Sequence, residues 1–286
     1  MHSAAIYALA RDHQHRLLFT GGADKVVAAW DNALQQHMGL TIRTTAPIYS
    51  LCFVPVEGLL FIGLSDGTLH VVNAANRTEL ASAHVHSAAV YDMVYDAQHH
   101  WVWSAGGDGW LHIWSASDAT KIRSIPFDQD KIRQLAIDAN GRYLAVAGEK
   151  VWIVDTDFAN VVHACKGHEG GATAVCWHPS KKALISGGKD GHLRVWSLET
   201  GQEIWSFPAH RFAIYRLLFD ATSGLLVSAS RDGSIKMWHP ETLEHRCTID
   251  KSAQHHTHSV NALVVCEEGI YSAGDDRKII HWTPTI

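Results

Sequence analysis

Serine, histidine and aspartate recur in this chain at fixed spacing. Together they could run nucleophilic hydrolysis, in which the imidazole takes the hydroxyl proton and the carboxylate orients the imidazole. His168 precedes Ser186 by 18 residues; Asp190 follows four residues later, and Trp196 lies ten after the serine. His210, Ser228, Asp232 and Trp238 repeat those offsets, as do His86, Ser104, Asp108 and Trp114. His2, Thr20, Asp24 and Trp30 repeat them at the chain start, and His256, Ser272, Asp276 and Trp282 with a loop shorter by two. A hydrolase needs one such set. Five in register, each tied to a tryptophan, imply a structural task instead.

The elements that must hold these sets follow from the period. From Trp30 the equivalent positions are Val72, Trp114, Val154, Trp196, Trp238 and Trp282, at steps of 42, 42, 40, 42, 42 and 44 residues. Seven copies account for all 286 residues, read as one domain spanning 1–286. Each copy reads as four short strands, clearest in the fifth: ATAVCW, KALISGG, GHLRVWS and QEIWSF. Asp66-Gly67, Asp108-Gly109, Asp190-Gly191 and Asp232-Gly233 join the middle two strands. Such a pair suits a tight hairpin whose two turn residues both tolerate positive φ. GHLRVW alternates in polarity, whereas TAVCW is apolar on both faces, the contrast expected of sheets covered by neighbouring sheets.

The run GH followed by SGGKDGHLRVWS at 186–197 resembles the WD-repeat family, and the likeness extends over nearly the whole chain. The tryptophan is followed by Asp only at Asp31, and elsewhere by Ser115, Ser197, His239 or Thr283. The resemblance implies a seven-bladed β-propeller of four-stranded antiparallel blades. It also implies that the His, Ser/Thr, Asp and Trp of each good blade form a buried hydrogen-bonded tetrad. Indole N–H only donates, carboxylate only accepts, and hydroxyl and imidazole do both, so a chain from Trp to Asp satisfies every member. Copies two and four lose the partners together, carrying Thr44, Ile62 and Val72, and Asp128, Val146 and Val154. After KIIHW only four residues remain, so the last blade is expected to lack its outer strand. Its edge, Lys278, Ile279, Ile280, His281 and Trp282, then becomes a place for strand pairing or self-association.

Five residues after the tetrad histidine the copies carry Tyr7, Tyr49, Tyr91, Arg133, Thr173, Tyr215 and Asn261. Four of the seven tyrosines share this one position, which the family likeness puts at the mouth of a central channel on the top face. That face is formed by the loops entering the first strand and joining the second and third. Small residues lead into the rings (HSAAIY, TTAPIY, HSAAVY), leaving them reachable. The rings either bind a partner or plug the channel. Phe212 and Trp110 are further candidates there, and Lys189, Arg211, Arg216 and Arg231 concentrate positive charge on blades five and six.

These features point to a platform for a protein or peptide partner. A small-molecule or lyase-type site using the tyrosines and Arg133, or an aromatic cage for a cationic side chain helped by Asp92, are the alternatives. The net charge of -5 argues against a general nucleic-acid binder, and no apolar run reaches the roughly 18 residues a membrane helix needs. Five cysteines without CxxC spacing fit free thiols and a cytoplasmic setting. His255, His256 and His258 resemble metal ligands, but His256 already belongs to a tetrad, so neither a metal nor a cofactor is expected. The remaining histidines, such as His13, His15, His99 and His100, fall in polar turns with no evident purpose.

Overall fold

In a computed structural model, which describes residues 2–34, 36–127, 131–249, 255–267 and 269–283, short apolar segments become antiparallel strands throughout. Contacts divide the chain into two compact units, 1–132 and 133–286. The first unit holds three blades: β1 (Ile6–Asp12), β2 (Leu17–Gly22), β3 (Val26–Trp30) and β4 (Gln36–Arg43); β5 (Ile48–Val54), β6 (Leu59–Leu64), β7 (Thr68–Asn73) and β8 (Glu79–His84); β9 (Val90–Asp96), β10 (Trp101–Gly106), β11 (Trp110–Ser115) and β12 (Lys121–Pro126). The second holds four: β13 (Gln134–Ile137), β14 (Tyr143–Ala147), β15 (Val151–Asp155) and β16 (Asn160–Cys165); β17 (Ala172–Trp177), β18 (Ala183–Gly188), β19 (His192–Ser197) and β20 (Glu203–Pro208); β21 (Ile214–Asp220), β22 (Leu225–Ser230), β23 (Ile235–Trp238) and β24 (His245–Ile249); β25 (Val260–Cys266), β26 (Gly269–Gly274) and β27 (Ile279–Trp282). The fold class is an all-β, seven-bladed propeller, with six four-stranded antiparallel blades and a three-stranded seventh among the described residues.

Each blade pairs its strands in chain order, and in blades five and six burial is greatest at the second strand and least at the fourth. All six residues of β18 are buried, whereas β8 and β12 are almost wholly exposed. The core lies between successive blades. Phe19 of β2 meets Phe53 of β5 with ring centroids 5.4 Å apart, in a cluster that includes Leu60 and Ile62 of β6. Leu193 of β19 packs similarly with Ile214 and Leu217 of β21. A side chain buried between two sheets contributes about 1.5–3 kcal/mol, which is why inner strands read apolar on both faces.

The tetrads form in five blades. In blade three Trp114 Nε1 donates to Ser104 Oγ at 3.0 Å, His86 Nε2 lies 3.1 Å from that oxygen, and His86 Nδ1 lies 3.0 Å from Asp108 Oδ1. The indole hydrogen therefore goes to the hydroxyl, the hydroxyl hydrogen to Nε2, and the Nδ1 hydrogen to the carboxylate. In blade five the tryptophan–serine and serine–histidine distances are 2.8 and 2.7 Å. Blades one, six and seven repeat the chain through Thr20, Ser228 and Ser272. The histidine and the aspartate need room to meet. A Cβ on Gly106 would stand 2.2 Å from both the Asp108 carboxylate and His86 Nδ1, and one on Gly188 would meet His168 the same way. In blades two and four the serine and tryptophan positions are apolar and buried: Ile62, Val72, Val146 and Val154. Asp128 lies outside the described residues.

One expectation about the turns is corrected. Only the glycine of each Asp-Gly pair has positive φ (Gly67 at 89°, Gly109 at 77°, Gly191 at 71°, Gly233 at 83°). The backbone closes as Gly109 N–H to Gly106 C=O, one residue earlier than a two-residue hairpin requires. The aspartate stays right-handed because its carboxylate also accepts the N–H two residues on, as Asp108 does from Trp110 at 3.2 Å. Lys25 and Arg277 take the left-handed position in blades one and seven, at 62° and 65°.

The turns also explain several histidines. His15 Nδ1 meets Asp12 at 2.7 Å and His99 Nδ1 meets Asp96 at 2.7 Å, each aspartate accepting two backbone N–H groups of the same turn. His178 Nδ1 accepts the N–H groups of Ser180 and Lys181.

Ser186→Ala strands the buried Trp196 N–H and His168 Nε2 and is expected to destabilise the protein by about 1–3 kcal/mol, read by chemical denaturation. Unchanged stability would contradict the network. Burial holds His86, His168, His210 and His256 below the ordinary histidine range despite their aspartates, His168 at about 4. Between that value and 6.5 the unfolded chain binds more protons than the folded one, so stability rises with pH. Tm is therefore expected to fall steadily as pH drops from 6.5 towards 4; a flat Tm over that window would show that these imidazoles are not held neutral.

Candidate functional site

Along β1, β5 and β9 the side chains alternate, and the second residue of each strand is a tyrosine pointing away from the core. Tyr7, Tyr49 and Tyr91 are all half-buried. Their rings form a row: Tyr7 meets Tyr49 edge-on at 5.2 Å, and Tyr49 stacks on Tyr91 at 5.7 Å with 21° between planes. Such pairs are worth about 0.5–1.5 kcal/mol beyond the area they bury. The rings thus support one another, and each keeps part of its surface open to solvent.

Backbone proximity explains why the row is accessible. A Cβ at Gly107 would stand 2.9 Å from the Tyr91 ring and 3.2 Å from Ala88 Cβ, so Tyr91 lies against bare backbone. Gly107 immediately precedes the turn aspartate Asp108, and the same position holds Ala23 in blade one and Ser65 in blade two. In the last four blades it holds Glu149, Lys189, Arg231 and Asp275. All three tyrosine blades therefore carry a small residue at this register, a regularity that single motifs do not show and only alignment of the copies discloses.

The tetrad aspartates each hold a loop of their own blade. Asp24, Asp108, Asp190, Asp232 and Asp276 accept the backbone N–H of the residue after each tetrad histidine: Ser3, Ser87, Glu169, Arg211 and Thr257. The serine and threonine hydroxyls themselves are wholly buried, at 0% exposure for Thr20, Ser104, Ser186, Ser228 and Ser272. No substrate reaches an oxygen in that position.

The other expected site residues belong to the second unit or to other strands. Thr173 is buried and its hydroxyl donates to the Ile214 carbonyl, tying β17 to β21. Asn261 donates its amide to Asp275 at 2.8 Å. Arg133 and Tyr215 are half-buried, and Phe212 is 56% exposed in the loop before β21. Trp110 opens β11, separated from β9 by β10, and its ring stacks on His112 at 6.2 Å. Asp92 is buried, turned to the opposite side of β9 from Tyr91. His256 is engaged in its tetrad, His255 lies against the Trp282 ring and His258 pairs with Thr257.

Known proteins share parts of this pattern. The family described as "WD domain, G-beta repeat" matches residues 1–31, 159–197 and 201–239. The ribosome biogenesis protein WDR12 homolog of Anopheles gambiae is 42% identical over 48 residues, 17% of this chain and 11% of that protein. Activating molecule in BECN1-regulated autophagy protein 1B of Danio rerio is 34% identical over 80 residues, 28% of this chain and 6% of that protein. Pre-mRNA-processing factor 19 of Bos taurus is 28% identical over 81 residues, 28% of this chain and 16% of that protein. The chain spans less than a fifth of the length of each of these relatives. Repeat matches, five tetrads and seven antiparallel blades agree: the chain belongs to the WD-repeat β-propeller family, whose members typically serve as protein-interaction scaffolds.

Proposed function

We propose that this protein is a non-enzymatic platform that binds a protein or peptide partner on its top face, with Tyr7, Tyr49 and Tyr91 as the anchors. The observation that carries this reading is the row of three half-buried rings, each in contact with the next, with Gly107 beside Tyr91. Tyrosine brings a large apolar face and a polar tip at low entropic cost, and rings already packed together lose little freedom when a partner lands on them. Stacking of Tyr49 on Tyr91 leaves no slot for a cation between those two rings, which favours a contact surface over a cage. Phe212 with Lys189, Arg211 and Arg231 offers a second patch on blades five and six.

Two further features support a role without catalysis. The Ser–His–Asp sets are spent on buried hydrogen bonds. Of the five free cysteines four are buried, and burial pushes the thiols of Cys52 and Cys176 up to about 12, leaving them unreactive. Free thiols also suit a cytoplasmic setting. Relatives named for ribosome biogenesis and pre-mRNA processing fit a chain that works inside larger assemblies.

A second attachment point is favoured by the three-stranded blade. Among the described residues β27 pairs only with β26, and all four of its residues are partly exposed. Its outer N–H and C=O groups can template a strand from a partner or from a second copy.

Replacing Tyr7, Tyr49 and Tyr91 together by Ala is expected to leave Tm within a few degrees of wild type and to remove the main partner from affinity-purified complexes identified by mass spectrometry. Retention of that partner, with loss on substituting Lys189, Arg211 and Arg231 instead, would place the contact on the other patch. For the edge, light scattering is expected to report concentration-dependent association, or affinity purification a second partner, that Ile280→Lys abolishes. A protein that remains monomeric and keeps all its partners in both forms would remove β27 from the account.

A further inference from the structure

Blade one departs from its siblings beside its tetrad, and the departure leaves a pocket. In blade five Arg194, four residues after Asp190, donates from Nη1 to Asp190 at 2.8 Å and from Nε to Glu203 at 3.1 Å. In blade six Lys236 occupies the same register after Asp232 and donates to the Ala209 carbonyl at 2.6 Å, just before the tetrad histidine. In blade three His112 takes the place, its Nε2 lying 2.9 Å from the Val85 carbonyl. Blade seven carries Ile280 there, but Lys278, two residues earlier, reaches the His255 carbonyl at 3.2 Å. In each of these four blades the chain sends a nitrogen donor to the shoulder of its own His–Asp pair.

Among the described residues, blade one sends none. The two registers that supply the donor elsewhere hold Val26 and Ala28. Both line an open cavity of about 270 Å³, together with His2, Ser3, Asp24, Thr41 and Arg43. That volume suits one extended side chain rather than a drug-sized ligand. Asp24 accepts three hydrogen bonds, from His2 at 2.8 Å, the Ser3 N–H at 3.0 Å and the Val26 N–H at 3.3 Å. Asp190 accepts the same three and a fourth from Arg194. An ionised carboxylate has about four acceptor sites, so Asp24 keeps one where its sibling receives a guanidinium. Arg43 supplies the opposite charge from β4, on a wall where Ser3 and Thr41 add hydroxyls.

We propose that this pocket binds an arginine that does not belong to the chain, its guanidinium at Asp24 in the place that Arg194 fills in blade five, and its carboxylate at Arg43. A planar guanidinium donates from more than one nitrogen in a fixed fork, as Arg194 does, which a neutral isostere cannot match. The ligand is an arginine with a free carboxylate, either the amino acid or the last residue of a peptide. This site is separate from the tyrosine row and stands or falls independently of it.

The test is calorimetric titration of the full chain with L-arginine, agmatine, L-citrulline and an acetyl-Gly-Gly-Arg peptide with a free C-terminus. L-Arginine is expected to bind saturably, and citrulline, whose urea is uncharged, at least about tenfold more weakly. Arg43→Ala is expected to weaken L-arginine by about tenfold while leaving agmatine, which has no carboxylate, unchanged. Ala28→Arg lets the chain fill its own pocket and is expected to abolish arginine binding with Tm equal to or above wild type. Tighter binding of the peptide identifies a C-terminal arginine as the ligand; tighter binding of the free amino acid identifies the metabolite. No saturable binding, equal affinity for arginine and citrulline, or arginine binding that survives Ala28→Arg in the folded protein would overturn the proposal. Because the citrulline comparison uses only the wild-type chain, it decides the matter even if Ala28→Arg fails to fold.

Discussion

A buried indole N–H can only donate, and in five blades of this protein it finds one acceptor, the hydroxyl of a serine or threonine one strand away. Everything else in the blade follows from that constraint. The hydroxyl passes its own hydrogen to an imidazole, the imidazole passes one to an aspartate, and the aspartate gathers two backbone N–H groups from the loops at the top of the blade. A single line of hydrogen bonds therefore runs from the tryptophan on the third strand to the loops that the aspartate holds. Leaving any buried member unpaired costs about 1–3 kcal/mol, so the set is kept whole or given up whole. Blades two and four take the second course, with Ile62 and Val72, and Val146 and Val154, closing the same space with hydrocarbon.

Anchored loops free other positions to vary. The second residue of the first strand differs between repeats: three tyrosines in contact in the first unit, and a threonine bonded to the neighbouring strand in blade five. The position before the turn varies too, with Ala23, Ser65 and Gly107 in the first three blades and a charged residue in the other four. The donor register on the third strand varies too, from Arg194 and Lys236 to Ala28. Repetition supplies the scaffold, and the proposed contacts lie where the copies depart from it.

What the sequence discloses depends on whether a residue acts with others at fixed spacing. The tetrads were legible because four residue types recur together, and so were the strands of blade five, seen as Ala172–Trp177, Ala183–Gly188, His192–Ser197 and Glu203–Pro208. The Asp-Gly turns were misread because the pair also fits a turn in which only the glycine has positive φ. Here the aspartate's bonds to histidine and backbone select the one that keeps it right-handed. The histidines of the polar turns gave no signal, since their partners Asp12 and Asp96 look like ordinary turn residues until the ring is seen against the carboxylate. Ala28 was silent for a different reason: a small residue carries no information until its siblings in register are known to be Arg194, Lys236 and His112.

Hydrogen exchange read residue by residue tests most directly whether the buried chain governs the loops. The N–H groups of Ser87 and Trp110 both end on Asp108, which is held by His86 and, through it, by Ser104. In a Ser104→Ala variant these two amides are expected to exchange faster than in wild type, while Ser3 and Val26, bonded to Asp24 in blade one, keep their rates. Unchanged protection at Ser87 and Trp110 would contradict the account by showing that the loops stand without the tetrad.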